Sequence, residues 1–156
     1  MRTLPSRRTA SRWLTALLVT SLAFGTAQAG SLGLGAGLAY GNLLALEAEM
    51  DLSPQASLSF GMGYGLLVFS AHTGAKLFAS STQEGLFLSG RAGVGAIGMM
   101  GAYVFGELGG GYRIPLNQAA YMDLEGGLGV ARFPGEPQDP TLQAMGVFGL
   151  KFGVRF

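Results

Sequence analysis

Apolar side chains recur along this chain at every second position, not at the i, i+3, i+4 spacing of a helix face. Leu32, Leu34, Ala36, Leu38 and Tyr40 alternate with Gly33, Gly35, Gly37 and Ala39. Leu44, Leu46, Ala48 and Met50 alternate with Ala45, Glu47, Glu49 and Asp51. Leu58, Phe60, Met62, Tyr64 and Leu66 alternate with Ser59, Gly61, Gly63 and Gly65, and the chain finishes on Phe148, Leu150, Phe152, Val154 and Phe156 against Gly149, Lys151, Gly153 and Arg155. Successive side chains of a strand point to opposite faces, so each segment predicts a strand with one apolar face and one of glycine and charge.

Eight such strands are predicted, at about 31–40, 43–52, 56–68, 72–79, 86–97, 101–114, 119–133 and 142–156. The fourth has the weakest pattern, its apolar face being either Ala75 and Leu77 or one that includes Phe78. Polar turn segments follow the second, fourth and sixth strands: Ser53-Pro54-Gln55, Ser80 to Gly85, and Pro115-Leu116-Asn117-Gln118. With a periplasmic N-terminus these become the periplasmic turns. Gly41-Asn42 and the longer Pro134 to Pro140 segment then face outward. The fold class expected is all-β: a closed, up-and-down antiparallel transmembrane barrel of about eight strands.

The charges decide which face is which. Among the predicted strand residues, Glu47, Glu49, Asp51, Arg91, Glu107, Arg113, Asp123, Glu125, Lys151 and Arg155 all lie opposite the apolar face, and Lys76 joins them if Leu77 points outward. Arg132 alone breaks the rule, near a strand end from which it can snorkel. The apolar face is nearly free of Ser, Thr, Asn and Gln within the strands. A charge at the middle of a lipid face costs about 2–4 kcal/mol, so a lipid-facing surface is purged in this way. Strands survive in lipid only when closure leaves no unpaired edge. The inward carboxylates and bases are nearly balanced and are expected to pair across neighbouring strands. Tyr103, Phe105 and Val147 share that inward phase, and eight-stranded interiors can be filled by side chains.

The first 29 residues stand apart from this pattern. Arg2, Arg7, Arg8 and Arg12 precede an apolar run from Trp13 to Phe24 and an Ala27-Gln28-Ala29 cleavage motif, the layout of a signal peptide. Ser6-Arg7-Arg8 hints at a twin-arginine signal but lacks the apolar pair that usually follows. The domain division expected is a cleaved segment 1–29 and a barrel over 30–156. Without residues 1–29, six basic residues face nine acidic ones, a net charge of −3, which leaves no basic footprint for nucleic acid. The chain has no cysteine, so disulfides, thiolate zinc sites and a lipidated N-terminal cysteine are excluded.

These residues together resemble the small eight-stranded outer-membrane barrel proteins, the group that includes the OmpX-type proteins and the membrane domain of OmpA. The resemblance covers 30–156 and implies a bacterial outer-membrane location. It also implies that Phe152, Val154 and Phe156, ending the final strand, act as a sorting signal for the barrel assembly machinery. The outer loops are short beside long-looped relatives, apart from 134–140, which weakens any inference to adhesion.

Other motifs read more plainly. Gly93-Val94-Gly95-Ala96-Ile97-Gly98 spells G-x-G-x-x-G but lacks the βαβ context of a nucleotide site, and reads as alternating lumen glycines. His72, the single histidine, and Ser70 fall near a predicted outer rim. A Ser–His pair there would permit lipid-modifying chemistry if a carboxylate oriented it. A solvated loop histidine is the favoured reading, and no enzyme activity, cofactor or metal site is expected. Glu47, Glu49 and Asp51 form an acidic ladder that suits calcium, with ion pairing favoured. Tyr40, Tyr64, Tyr112 and Phe156 are candidates for interfacial aromatic girdles.

The function expected is therefore an integral outer-membrane protein with a structural, envelope-integrity or surface-interaction role, its partners being the bilayer and the assembly machinery. Two alternatives stand beside it: a narrow channel for ions or small solutes, and a soluble periplasmic lipid-binding barrel with the apolar face turned inward. A glycine-rich surface fibre is a lesser one. The sequence carries no signal for oligomeric state.

Overall fold

The computed structural model of the protein describes residues 30–37, 42–98, 101–133 and 142–156. Eight antiparallel strands close into one barrel in sequence order: β1 (Gly30–Gly37), β2 (Asn42–Ser53), β3 (Ala56–Tyr64), β4 (Val68–Phe78), β5 (Gly85–Ile97), β6 (Gly101–Pro115), β7 (Ala120–Arg132) and β8 (Gln143–Arg155). β8 returns to pair with β1 from Ser31↔Arg155 to Ala36↔Leu150, so no edge is left open. The signal-peptide segment, Leu38 to Gly41 and the 134–140 loop lie outside the described residues.

The alternation seen in the sequence becomes the wall. Leu34, Leu46, Met62, Leu88, Leu108, Leu128 and Phe148 stand exposed on the outside, whereas Glu47, Lys76, Arg113, Asp123 and Lys151 are almost fully buried inside. This orientation is the reverse of what a soluble lipid-binding barrel requires, and it removes that alternative. Arg132 is exposed on the outer face at the end of β7. Of the aromatic-girdle candidates, Tyr64, Tyr112 and Phe156 are outward and exposed, and Tyr40 is outside the described residues.

One element differs from the sequence expectation. The third strand stops at Tyr64 and the fourth starts at Val68, four residues earlier than expected. Gly65 and Val68 exchange both backbone hydrogen bonds, at 2.7 and 3.3 Å, closing a two-residue loop at Leu66-Leu67. No Pro, Asn or Asp marks that turn, so it hides within the apolar run from Leu66 to Phe69. The shift sets the phase of the whole strand: Ser70, His72, Lys76 and Phe78 are buried, and Leu77 is exposed.

The three polar turns gather at the end where β1 begins and β8 finishes. Asn117 Oδ1 accepts hydrogen bonds from Ala119 N and Ala120 N (2.9 and 2.8 Å), closing β6–β7. The β4–β5 turn reaches over this mouth of the barrel. Its Gln83, held at φ 55°, is buried. Gln83 Nε2 donates to Ser53 O (3.3 Å), and Arg155 Nη2 donates to Gln83 O (3.0 Å).

Inward glycines make room for inward rings. Phe105 is opposite Gly93, Tyr103 opposite Gly95, Phe87 opposite Gly111 and Tyr121 opposite Gly153. In each pair a Cβ on the glycine would lie within 2.6 Å of the ring, so each ring lies flat over its bare neighbour. The G-x-G-x-x-G motif is accounted for here: Gly93 and Gly95 lie in β5 beneath Phe105 and Tyr103. Gly153→Ala is expected to push Tyr121 from its seat and destabilise the barrel by about 1–3 kcal/mol. Gly146→Ala, where no atom lies within 4 Å, is expected to be neutral or slightly stabilising. Urea unfolding of the two variants in parallel checks the contrast.

Candidate functional site

Acidic and basic side chains from six strands meet inside the barrel. Register alone explains part of the cluster. Arg113 on β6, Asp123 on β7 and Lys151 on β8 are successive cross-strand partners, and Arg91 on β5 is paired with Glu107 on β6. Arg113 binds Asp123 through two parallel hydrogen bonds, Nε to Oδ1 at 2.6 Å and Nη2 to Oδ2 at 2.7 Å, and reaches Glu49 Oε2 at 2.8 Å.

The remaining contacts join strands that are not neighbours, and glycines open the way. β1 separates β8 from β2, but β1 carries Gly33, whose added Cβ would lie 2.8 Å from Lys151 Cδ. Lys151 passes over that gap to Glu47 (Nζ to Oε1, 2.6 Å) and to Glu49. In the same way Gly61 on β3 leaves room for the His72 ring, whose Nε2 lies 3.1 Å from Glu47 Oε2. Gly74 on β4 clears the stem of Arg91, which reaches Glu47 (3.4 Å) and Glu125.

Lys76 spans the lumen. Its Nζ donates to Asp123 Oδ2 at 2.7 Å and Glu125 Oε1 at 2.6 Å, and lies 2.9 Å from Glu49 Oε1. Tyr121 forms an aromatic floor: the Arg113 guanidinium stacks 3.8 Å from its ring centre, and its hydroxyl lies 2.7 Å from Ser31 Oγ. Taking such ions out of water costs several kcal/mol each, and the cost is offset only where partners and hydrogen bonds are in place. Here Lys76, Lys151 and Arg113 each have at least two carboxylate partners.

Of the interior residues singled out from the sequence, Glu47, Glu49, Lys76, Arg91, Arg113, Asp123, Glu125 and Lys151 come together in this cluster. Glu107 stands at its margin, its Oε2 3.9 Å from Arg91 Nη1. Two do not join it. Asp51, opposite Ser57 near the barrel end, is half-exposed and forms no ion pair among the described residues. Arg155 is directed to the Gln83 carbonyl and the Tyr121 ring in place of a carboxylate. Both sit at the mouth, where the chain turns and water competes. The acidic ladder is also split: Glu47 and Glu49 are taken up by lysines and arginines, and Asp51 is left outside them.

His72 is corrected outright. It is not a solvated rim residue but a buried one within β4, hydrogen-bonded to Glu47, because the strand begins earlier than its sequence pattern indicated. Sequence reasoning also missed Tyr121, Phe78 and Phe87 as interior residues. Tyr121 shares the phase of Asp123 and Glu125, and Phe87 that of Arg91, so the charges already marked their direction. Phe152, Val154 and Phe156 of the final strand lie exposed on the outer face.

Fold and interior together define a closed eight-stranded antiparallel barrel with a polar, charge-paired inside and an apolar outside. Among solved structures the chain is similar to the crystal structure of the N-terminal β-barrel domain of Pseudomonas aeruginosa OprF, with 13% identity and a TM-score of 0.50 over 82% of this chain and 96% of that one. This likeness agrees with the eight-stranded barrel class that the sequence pattern resembles. No protein-family model and no curated protein matches the sequence.

Removing one member of a buried set leaves its partners charged and short of one counter-ion. Asp123→Ala is expected to lower stability by about 3–5 kcal/mol. Adding Arg113→Met to it is expected to recover part of that loss, because the guanidinium that has lost its two-point partner is then removed too. A double-mutant cycle by urea unfolding of the folded barrel reads the coupling.

Proposed function

We propose that the protein is a small integral outer-membrane β-barrel with a structural role in the cell envelope or in surface contact, that its interior is plugged by the charge cluster, and that it is not an enzyme. The observation that carries this reading is the partition of side chains. Large apolar residues such as Leu108, Leu128, Met62 and Phe148 are two-thirds or more exposed around the wall, while Asp123, Lys151 and Glu47 have no exposed surface. A water-soluble monomer does not present so wide an apolar belt. A bilayer-spanning barrel must.

The closed strand order supports the same reading, since closure satisfies every ladder hydrogen bond without water. The fold likeness to the OprF barrel domain adds to it. Export by the 1–29 segment and delivery by the barrel assembly machinery through Phe152, Val154 and Phe156 complete the proposal. The short β3–β4 loop favours a compact envelope component over a protruding adhesin.

The test is an envelope fractionation followed by electrophoresis in SDS with and without boiling. A membrane-extracted band that shifts on boiling is expected. Recovery in the soluble periplasm without a shift would overturn the reading. Planar-bilayer recordings then separate a plugged barrel from a narrow channel. Little or no steady conductance is expected from the native chain, and a regular unitary conductance would replace the plug with a pore.

A further inference from the structure

The charge cluster fills the middle of the barrel, and among the described residues the end where β6 begins and β7 finishes encloses open space. A cavity of about 260 Å³ lies there, its walls including Ile97, Tyr103, Phe105, Phe133 and Met145 and its base including Glu107. The aromatic residues form a group: Tyr103 is 5.9 Å from Phe105 and 5.6 Å from Phe133, centre to centre. The Glu107 side chain is only 7% exposed, yet among the described residues its Oε2 accepts no hydrogen bond, and the nearest cation, Arg91 Nη1, stands 3.9 Å away.

The pairing within the charge cluster points the same way. Among the described residues the cluster sets the carboxylates of Glu47, Glu49, Glu107, Asp123 and Glu125 beside the cations Lys76, Arg91, Arg113 and Lys151. Each of the other four carboxylates is hydrogen-bonded to a lysine or an arginine. Among the described residues Glu107 is the carboxylate of this set with no cation at hydrogen-bond distance, and it lies under an aromatic chamber. A carboxylate at the base of a group of aromatic rings is the chemistry that holds an organic ammonium ion, through the ion pair below and the ring faces at the sides.

We propose that this chamber is a binding site for a small organic ammonium cation, with Glu107 as counter-ion and Tyr103, Phe105 and Phe133 as the aromatic wall. Beneath the chamber the charge cluster begins, with Arg91 beside Glu107. The inference goes beyond the envelope role and does not require that the outer wall face lipid, only that the barrel be closed.

The test uses the full-length folded barrel in detergent, tetramethylammonium as the probe, and tert-butanol as a neutral molecule of similar shape. Saturation-transfer NMR reports binding of each. Transfer to tetramethylammonium and not to tert-butanol is expected. Glu107→Gln, which keeps the shape and removes the charge, is expected to weaken binding about tenfold. Phe133→Leu lies beyond the end of β7, where it leaves the strand pairing intact, and is expected to weaken binding several-fold. The boiling shift on the gel confirms that each variant is folded, and if Glu107→Gln does not fold, Phe133→Leu decides. Equal transfer to both probes, no transfer to tetramethylammonium, or binding unchanged in the folded variants would overturn the site. A soluble, unshifted protein would instead count against the envelope reading.

Discussion

A charged group removed from water is tolerated only where opposite charge and hydrogen bonds take the place of the water it has lost. That constraint organises the inside of this barrel. Lys76 has Asp123, Glu125 and Glu49 around one ammonium; Lys151 has Glu47 and Glu49; Arg113 has Asp123, Glu49 and the face of Tyr121. None of these sets is supplied by one pair of neighbouring strands. The glycines at 33, 61 and 74 follow from the same demand, since a side chain at any of them would block Lys151, His72 or Arg91 on its way to a partner two or more strands away. Glycine in a strand weakens it locally, and here its use is the clearance it gives.

The outer surface answers a different demand with the same strands. Because side chains alternate, the residues between the interior charges are the ones that meet the surroundings, and they are leucine, phenylalanine, methionine and valine. A shift of one residue in any strand would exchange the two sets, so the two chemistries hold the register against each other. The proposed placement in a bilayer makes both faces favourable together. The backbone adds to it, because each strand has two neighbours and the seam between β1 and β8 is paired like the rest.

Much of this was legible in the sequence. The alternation from Leu44 to Asp51 and from Phe148 to Phe156 named the strands and assigned the faces, and eight of the interior charges are found in one cluster. What escaped was governed by three-dimensional proximity or by a silent turn. Leu66-Leu67 looks like the middle of a strand, and only the paired hydrogen bonds of Gly65 and Val68 show otherwise. With the turn misplaced, His72 became a loop residue in the sequence reading and its contact with Glu47 was lost. Asp51 and Arg155 have the right phase but the wrong height, and phase is all that alternation encodes. The aromatic rings over Gly93, Gly95, Gly111 and Gly153 depend on which residues face each other across strands, which a single sequence does not display.

The contact between Lys151 and Glu47 links residues 104 apart in the chain, from the last strand to the second. Until β8 has met β1, Glu47 and Glu49 lack Lys151, and Lys151 has only Asp123 beside it. A half-built sheet of the early strands therefore lacks part of the positive charge that its acidic residues are paired with. Barrel closure is then the step that brings the last of these partners into place, which makes assembly close to all-or-none. A chain truncated before the final strand should have no stable resting state, because it lacks both the seam and the ion that locks it.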